Sequence, residues 1–340
     1  MKNVTGLLLF MLLFSACKQL NRIDLSGSWT VRLDSTDIGI IESWYGNLYE
    51  TSISLPGTTD MAELGEKCML KPALTKPQML HLTRAYSYIG PAWYSKEVEI
   101  PSDWLDKELF LHLERVLWDS QVWIDDVKVE GHEESLTTPH RYNLTPYIKS
   151  AGKHILTVRI DNRKRYDISV KELAHAKWNG ILGDMYIEAL DKVYINDVQL
   201  YPDVSTHTVR AVVSVCNATG KACNVDLKLS VTGKSDGKIR GELKKDMALS
   251  TGNVELELTC PLDEHTPLWN EFNPYVCEVD LDLKGDGFIA QKSETFGLRS
   301  LEREGNTFLM NDKPLFLRGT LECCIFPLTG TPPTGEEEWK

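Results

Sequence analysis

Adjacent carboxylates are the side chains of this sequence that could carry acid–base chemistry. They occur as Asp125-Asp126, Glu133-Glu134 and Glu336-Glu337-Glu338. General acid–base catalysis needs positioned groups that reach the same reacting atoms. Neighbours on a strand point to opposite faces, however, and carboxylates in turns are solvated. We therefore assign no catalytic residue in this sequence.

Motifs for cofactor or metal chemistry are also missing from the sequence. It contains no glycine-rich phosphate loop, no G-x-S-x-G turn and no H-E-x-x-H helix. Its eight cysteines include no CxxC pair and no His–Cys cluster at zinc spacing. Cys323 and Cys324 are adjacent, which suits free thiols better than a stabilising disulfide. We expect no cofactor and no metal.

The first 17 residues are typical of a targeting segment. Lys2 precedes a short apolar run, Gly6 to Phe14, which fits a signal peptide and is too short to span a membrane. Phe14-Ser15-Ala16-Cys17 then resembles a bacterial lipoprotein box, which predicts lipidation of Cys17. This places the chain on the bacterial cell envelope, in the periplasm or on the outer-membrane surface, held by acyl chains. The alternative is an ordinary secretory peptide with an incidental cysteine.

Composition limits the partners of the chain. It has 340 residues and a formal net charge of −12, with acidic residues scattered along its length. Nucleic acid is an unsuitable partner, because phosphate binding needs clustered basic residues. The densest basic cluster, Arg163-Lys164-Arg165, follows a strand-like run and is interpreted as a solvated turn.

Alternation of apolar and polar residues predicts an all-β chain. Clear runs of period two are Leu109 to Leu113, Leu156 to Ile160, Val225 to Val231 and Val254 to Leu258. Asp125-Asp126 reads as a hairpin turn between two such runs. The length suits two β-sandwiches, the first over residues 18–190 and the second, immunoglobulin-like, over residues 191–297.

Several segments of the chain resemble glycoside hydrolase family 2 in order and spacing. In the first sandwich these are Leu25-Ser26-Gly27-Ser28-Trp29, Gly90-Pro91-Ala92-Trp93-Tyr94, Val122 to His132 and Trp178 to Ile187. Leu268-Trp269-Asn270 and Asn273-Pro274-Tyr275 follow in the second. The resemblance implies a jelly-roll sugar-binding domain followed by an immunoglobulin-like sandwich. It also implies carbohydrate as the partner.

Residues 296–319 resemble the junction at which this family's accessory domains lead into a catalytic (β/α)8 barrel. Such a barrel needs roughly 250 residues, whereas Gly319 lies close to Lys340, the last residue of the sequence. We therefore expect residues 298–340 to be the start of a truncated barrel. The resemblance places the catalytic glutamates on later barrel strands, so we expect this chain to be inactive alone.

The tryptophans are the strongest candidates for stacking on a sugar. Trp29, Trp93 and Trp123 lie in alternating strand patterns and are interpreted as core residues. Trp178-Asn179 lies in an irregular segment, where functional residues are more frequent, and is a possible substrate contact. Glu322 is a further possible contact, since it follows the predicted first barrel strand; a surface or ion-paired glutamate is the alternative.

Departures from the family pattern point to a divergent member. An Asp that often precedes the matching tryptophan is Ala176 here, an Arg of the closing strand is Gly183, and a pocket His is Cys323. The leading hypothesis is the N-terminal, non-catalytic portion of an exo-glycosidase. The alternatives are a free-standing carbohydrate-binding lipoprotein, and a purely structural surface protein or the product of a broken gene.

Overall fold

The computed structural model describes residues 21–67, 86–135, 138–163 and 178–320. These residues form strands and one short 3-10 turn, Ser102–Trp104, with no α-helix among them. The predicted all-β fold is confirmed. Within the described part of the chain, no helix has the length and apolar character needed to cross a membrane.

Two antiparallel sheets form the first sandwich. The five-stranded sheet contains β1 (Arg22–Asp24), β14 (Gly180–Leu190), β8 (Glu108–Val116) and β12 (His140–Asn143) in that order, and β4 (Gly57–Thr58) pairs with β14. The seven-stranded sheet contains β10 (Val127–Lys128), β9 (Asp119–Ile124), β13 (Gly152–Asp161), β7 (Pro91–Ile100), β2 (Gly27–Leu33) and β3 (Thr51–Leu55), and β11 (Glu133–Glu134) pairs with β9. A small ribbon joins β5 (Glu66–Lys67) to β6 (Tyr86–Ser87).

The core of the first sandwich follows from the period-two patterns. Leu109, Leu111 and Leu113 of β8 point into it, while alternate residues face away. Trp29 lies in this core at 1% exposure, and its Nε1 donates to the Leu25 carbonyl at 2.7 Å. The Asp125-Asp126 turn is also confirmed, since Val127 pairs with Ile124 across it.

A second buried cluster lies on the outer face of the seven-stranded sheet. Trp93 and Trp123 are buried there against Trp44 rather than between the two sheets. Residues 34–50, which we call the covering loop, connect β2 to β3 and lie over Trp93 and Trp123. Tyr45 of this loop stacks on Trp123 with ring centroids 5.5 Å apart. The three predicted core tryptophans are therefore all buried, but two of them lie outside the sandwich core.

The second sandwich has a three-stranded and a four-stranded sheet. The first contains β15 (Val193–Asp203), β16 (Thr208–Asn217) and β19 (Gly252–Pro261). The second contains β18 (Ile239–Leu249), β17 (Cys223–Gly233), β20 (Cys277–Gly285) and β21 (Phe288–Phe296). Their inward residues are mainly Val and Leu, and they form one apolar core.

A third, small antiparallel sheet follows, made of β22 (Leu301–Glu304), β23 (Thr307–Met310) and β24 (Lys313–Leu315). A (β/α)8 barrel uses parallel strands, whereas β24 pairs antiparallel with β23. The barrel start expected over residues 298–340 therefore stays a prediction. The domain boundaries 18–190 and 191–297 also stay predictions.

Candidate functional site

Four segments meet at one end of the first sandwich, and we call them the strand-end cluster: residues 57–59, 88–91, 160–163 and 178–180. The Thr59 amide donates to the Asn179 carbonyl at 2.8 Å, which joins the first segment to the last. The cluster contains Trp178 and Asn179, the two possible substrate contacts that lie in the described residues. Trp178 is half-buried and Asn179 is fully buried.

The Asn179 amide group connects three strands beneath the surface. Its Oδ1 accepts a hydrogen bond from the Tyr94 hydroxyl at 2.7 Å. Its Nδ2 donates to the carbonyls of Gly90 at 2.9 Å and Ile160 at 3.3 Å. Buried amides without partners are costly, so this set of bonds holds the start of β14 in place.

Asn162 makes a second connection in the strand-end cluster. Its Oδ1 accepts from the Gly90 amide at 2.8 Å, and its Nδ2 donates to the carbonyls of Tyr88 at 2.9 Å and Trp178 at 3.1 Å. Asn162 is fully buried. The backbone at Trp178 is thus held by a side chain from the neighbouring segment.

Close packing makes a glycine necessary where β14 begins. Gly180 has φ +149°, and a Cβ there would lie 2.2 Å from the Gly57 carbonyl oxygen. Burial raises the pKa of Tyr94 well above its usual value, so its hydroxyl stays a neutral donor to Asn179. Nearby, the buried Thr58 hydroxyl has no hydrogen-bond partner among the described residues.

Ion pairs connect the covering loop to the strand-end cluster. Arg163 contacts Asp161 and Asp37 at 2.6 Å each, and Arg159 contacts Asp37 at 2.8 Å. Burial acts to raise the pKa of Asp161, but the hydrogen bonds and charge of Arg163 and the charge of Arg159 outweigh it and hold that pKa below its usual value. Arg163 is exposed, with 45% of its side chain accessible, and its guanidinium is paired with two carboxylates. Lys164 and Arg165 lie outside the described residues, so the interpretation of the basic cluster as a solvated turn stays a prediction.

The predicted site residues have different positions in the molecule. Trp178 and Asn179 lie together in the strand-end cluster, whereas Cys17 and Glu322 lie outside the described residues. The Asn179 amide has a structural role, and its direct contact with a substrate stays a prediction, as does that of Trp178. Sequence reasoning missed Asn162 and treated Tyr94 only as part of a motif. Nothing in the local pattern marks either as a hydrogen-bonding partner across the sandwich.

Gly183, one of the departures from the family pattern, lies in a register shift of β14 between Leu182 and Met185. Its φ is +73°, and a Cβ would lie 2.2 Å from a carboxylate oxygen of Glu114. The same carboxylate accepts the Asp184 amide at 2.6 Å. The glycine therefore permits a bulge that Glu114 closes. Ala176 and Cys323, the other departures, lie outside the described residues.

The acidic pairs that lie in the described residues belong to a turn and a strand of the first sandwich. Asp125 accepts the Ile155 amide at 2.8 Å and contacts His154 Nδ1 at 2.8 Å. Glu133 and Glu134 are successive residues of one strand. A general acid needs a raised pKa, whereas the carboxyl pKa shifts resolved among the described residues are downward: Asp24, Asp37, Asp161, Asp203, Asp236 and Glu242. No group of side chains suited to a metal occurs in the described ranges.

Comparisons with known proteins agree with this architecture. Residues 23–205 match the family model for the sugar binding domain of glycosyl hydrolases family 2, and residues 193–299 match a second model for glycosyl hydrolases family 2. A β-galactosidase of Thermoanaerobacter pseudethanolicus is 23% identical over 278 residues, covering 80% of this chain and 37% of that protein. A β-glucuronidase of Formosa agariphila is 22% identical over 254 residues, covering 68% of this chain and 26% of that protein.

Solved structures show the same fold. The crystal structure of a Bacteroides uniformis β-glucuronidase superimposes with a TM-score of 0.71 at 20% identity, covering 88% of this chain and 35% of that one. The chain therefore spans well under half the length of these relatives. The match to the sugar-binding model alone extends over more than half of the chain. The chain belongs to glycoside hydrolase family 2.

Proposed function

We propose that the chain is the N-terminal, non-catalytic portion of an exo-glycosidase that hydrolyses O-glycosyl bonds. The observation that carries this proposal is the succession of the two family matches, residues 23–205 and 193–299, over two sandwiches with separate cores. The relatives that match along this length are named β-galactosidases and β-glucuronidases.

The described side chains support a binding and positioning role. Glycoside hydrolysis needs an acid and a nucleophile or base on either side of the bond. Two carboxylates are instead paired with arginines, that of Asp161 in the strand-end cluster and that of Asp37 in the covering loop. The half-buried Trp178, held through its carbonyl by Asn162, suits a wall against which a sugar ring could pack.

The test is an assay of the purified 340-residue protein on a panel of aryl α- and β-glycosides. We expect no turnover above a heat-inactivated control. Turnover that survives further purification would overturn the non-catalytic assignment, because it would require an acid and a nucleophile within this chain.

A free-standing carbohydrate-binding role is the second candidate, and the partial exposure of Trp178 favours it. Here the chain would bind oligosaccharides with no attached catalytic unit. Calorimetric titration of oligosaccharides into the wild type and Trp178→Ala tests this role. Flat isotherms for both proteins would remove it, and binding lost only in the variant would support it.

The location of the protein is also a proposal. Lipidation of Cys17 would hold the protein on the bacterial envelope through acyl chains. Labelling of expressing cells with a radioactive or clickable fatty acid tests this, with Cys17→Ser as the comparison. Label that persists in Cys17→Ser would overturn it.

A further inference from the structure

An open groove lies between the two sandwiches. Its volume is about 780 Å³, within the range of small-molecule sites. One wall is the outer face of the five-stranded sheet and carries Arg22, His112, Tyr186 and Glu188. The opposite wall belongs to the second sandwich and carries, among others, Asn196, Gln291, Lys292 and Ser293.

Contacts between the sandwiches hold these walls together. Arg141 Nη1 donates to Asn196 Oδ1 at 2.6 Å, which connects β12 to β15. Phe110 packs edge-on against Tyr194 with ring centroids 5.5 Å apart. Lys192 also pairs with Glu108 at 2.6 Å. The groove is therefore preformed, so a ligand would not have to bring its walls together on binding.

Positive charge is concentrated on the wall that the first sandwich contributes to the groove. Arg22 and Arg141 line this wall together with the acidic Glu188 and Asp191, whereas Lys292 lies on the opposite wall, where Ser293 and Gln291 donate hydrogen bonds to Asp280 and Asp282. Asp191 is already paired with Lys107 at 2.8 Å. Glu188 is left to balance two guanidiniums, at 3.5 Å from Arg22 and 3.3 Å from Arg141. The excess positive charge contrasts with the formal charge of −12 for the whole chain.

Arg22 is the most available of these cations. Its side chain is 41% exposed, and its guanidinium lies 4.1 Å from the centre of the Tyr186 ring. On the neighbouring strand His112 stacks on Tyr186 at 4.6 Å between ring centroids. Burial lowers the pKa of His112, which keeps its ring neutral and able to both donate and accept hydrogen bonds near pH 7.

We propose that this groove binds a saccharide that carries an anionic substituent. Arg22 and Arg141 would pair with the carboxylate or sulfate, and the His112 ring would bond hydroxyl groups. Gln291 and Ser293, whose side chains donate to Asp282 and Asp280, would accept hydrogen bonds from hydroxyl groups through their oxygens. A guanidinium recognises such planar or forked anions in a bidentate manner. The choice of a saccharide rests on the proposed function, whereas the preference for an anion rests on the charges of the groove.

Calorimetric titration of the full chain with three probes tests this inference: tri-galacturonate, a sulfated carrageenan oligosaccharide and the uncharged galactotriose. We expect one or both anionic probes to bind and galactotriose to bind more weakly. Arg22→Gln should weaken anionic binding by about tenfold, as the loss of one charge-assisted hydrogen bond implies. The two anionic probes show which substituent is preferred. Affinity should also fall as salt is raised.

Arg210→Gln is the matched control. Arg210 is 42% exposed, lies 4.3 Å from the centre of the Tyr201 ring and pairs with Glu257 at 3.4 Å, away from the groove. The inference is overturned if Arg210→Gln weakens binding as much as Arg22→Gln. It is also overturned if galactotriose binds as tightly as the anionic probes, or if neither anionic probe binds at millimolar concentration. Because binding is measured without hydrolysis, these outcomes are independent of the aryl glycoside assay.

Discussion

Replacement of Asn179 by Ala should destabilise the first sandwich strongly. The change removes three buried hydrogen bonds, one from the Tyr94 hydroxyl and two to the Gly90 and Ile160 carbonyls. Each buried polar group left without a partner costs about 1–3 kcal/mol. Three such groups lose their partner, so we expect a total loss of at least about 3–4 kcal/mol in the free energy of unfolding.

The matched comparison is Tyr94→Phe, which leaves only the side-chain Oδ1 of Asn179 without its donor. We expect it to cost about 1–2 kcal/mol. In the double variant the Tyr94 hydroxyl is already absent, so the combined loss should fall short of the sum by about 1 kcal/mol. Asn47→Ala is the control: Asn47 is exposed and donates one hydrogen bond, so its effect should stay within about 0.5 kcal/mol.

Urea unfolding followed by tryptophan fluorescence measures these losses. Most tryptophans of the chain lie in the first sandwich: Trp29, Trp44, Trp93, Trp104, Trp118 and Trp123. The signal therefore reports on the sandwich that contains Asn179. An Asn179→Ala midpoint close to that of Asn47→Ala, or full additivity in the double variant, would refute the role of Asn179 as a buried connector.

Three further predictions concern pH and packing. Burial lowers the pKa of His154, but its hydrogen bonds to Asp125 and the Ser150 carbonyl outweigh this effect, so that its pKa is raised in the folded protein. The protonated ring therefore stabilises the fold. This stabilisation should be complete below the unfolded pKa of about 6.5 and be lost as pH rises through the folded pKa. Asp125→Asn should flatten the pH dependence of the thermal unfolding midpoint across pH 5–9. An unchanged slope would count against the role of Asp125 in raising the pKa of His154. Asp161 has a lowered pKa in the folded protein, so its charged form should add to the free energy of unfolding above the unfolded pKa, and this addition should be lost as pH falls through the folded pKa. The stability of Asp161→Asn, measured by acid unfolding, should lack this pH-dependent loss. Gly180→Ala should lower the free energy of unfolding by more than about 2 kcal/mol, because the new Cβ would lie 2.2 Å from the Gly57 carbonyl oxygen. Gly152 has φ +104° and open space around a Cβ, so Gly152→Ala should cost less. Equal urea midpoints for the two variants would contradict the steric argument.

Local pattern was sufficient for the fold class and for some turns. The alternation in Leu109 to Leu113 predicts a strand with one face in the core, and the three leucines of β8 lie there. Phe110 on the opposite face is also buried, because it packs against Tyr194 of the second sandwich. The sequence pattern could not distinguish a tryptophan buried between the two sheets from one buried on the outer face of the seven-stranded sheet. Trp29 and Trp93 look alike in sequence, but the covering loop adds a second apolar layer outside the sheet and buries Trp93 there.

The strand-end cluster shows the limit of sequence reasoning for the site. Trp178 and Asn179 stand out in the sequence because they lie in an irregular segment. The partners that define their surroundings, Tyr94 and Asn162, lie far from them in the chain, so no spacing rule connects them. The interdomain groove is a stronger case, since Arg22 and Lys292 belong to different sandwiches.

The sequence by itself determined the all-β class, the family and the order of its two sandwiches, because period-two burial and short motifs are local properties. Only the tertiary structure decided that the Asn179 amide is a buried connector, that Arg163 is paired, and that basic residues meet between the sandwiches. Hydrogen bonds and Coulomb interactions act over a few ångströms in space, and residues that are remote in the chain reach such distances only after the sheets have packed.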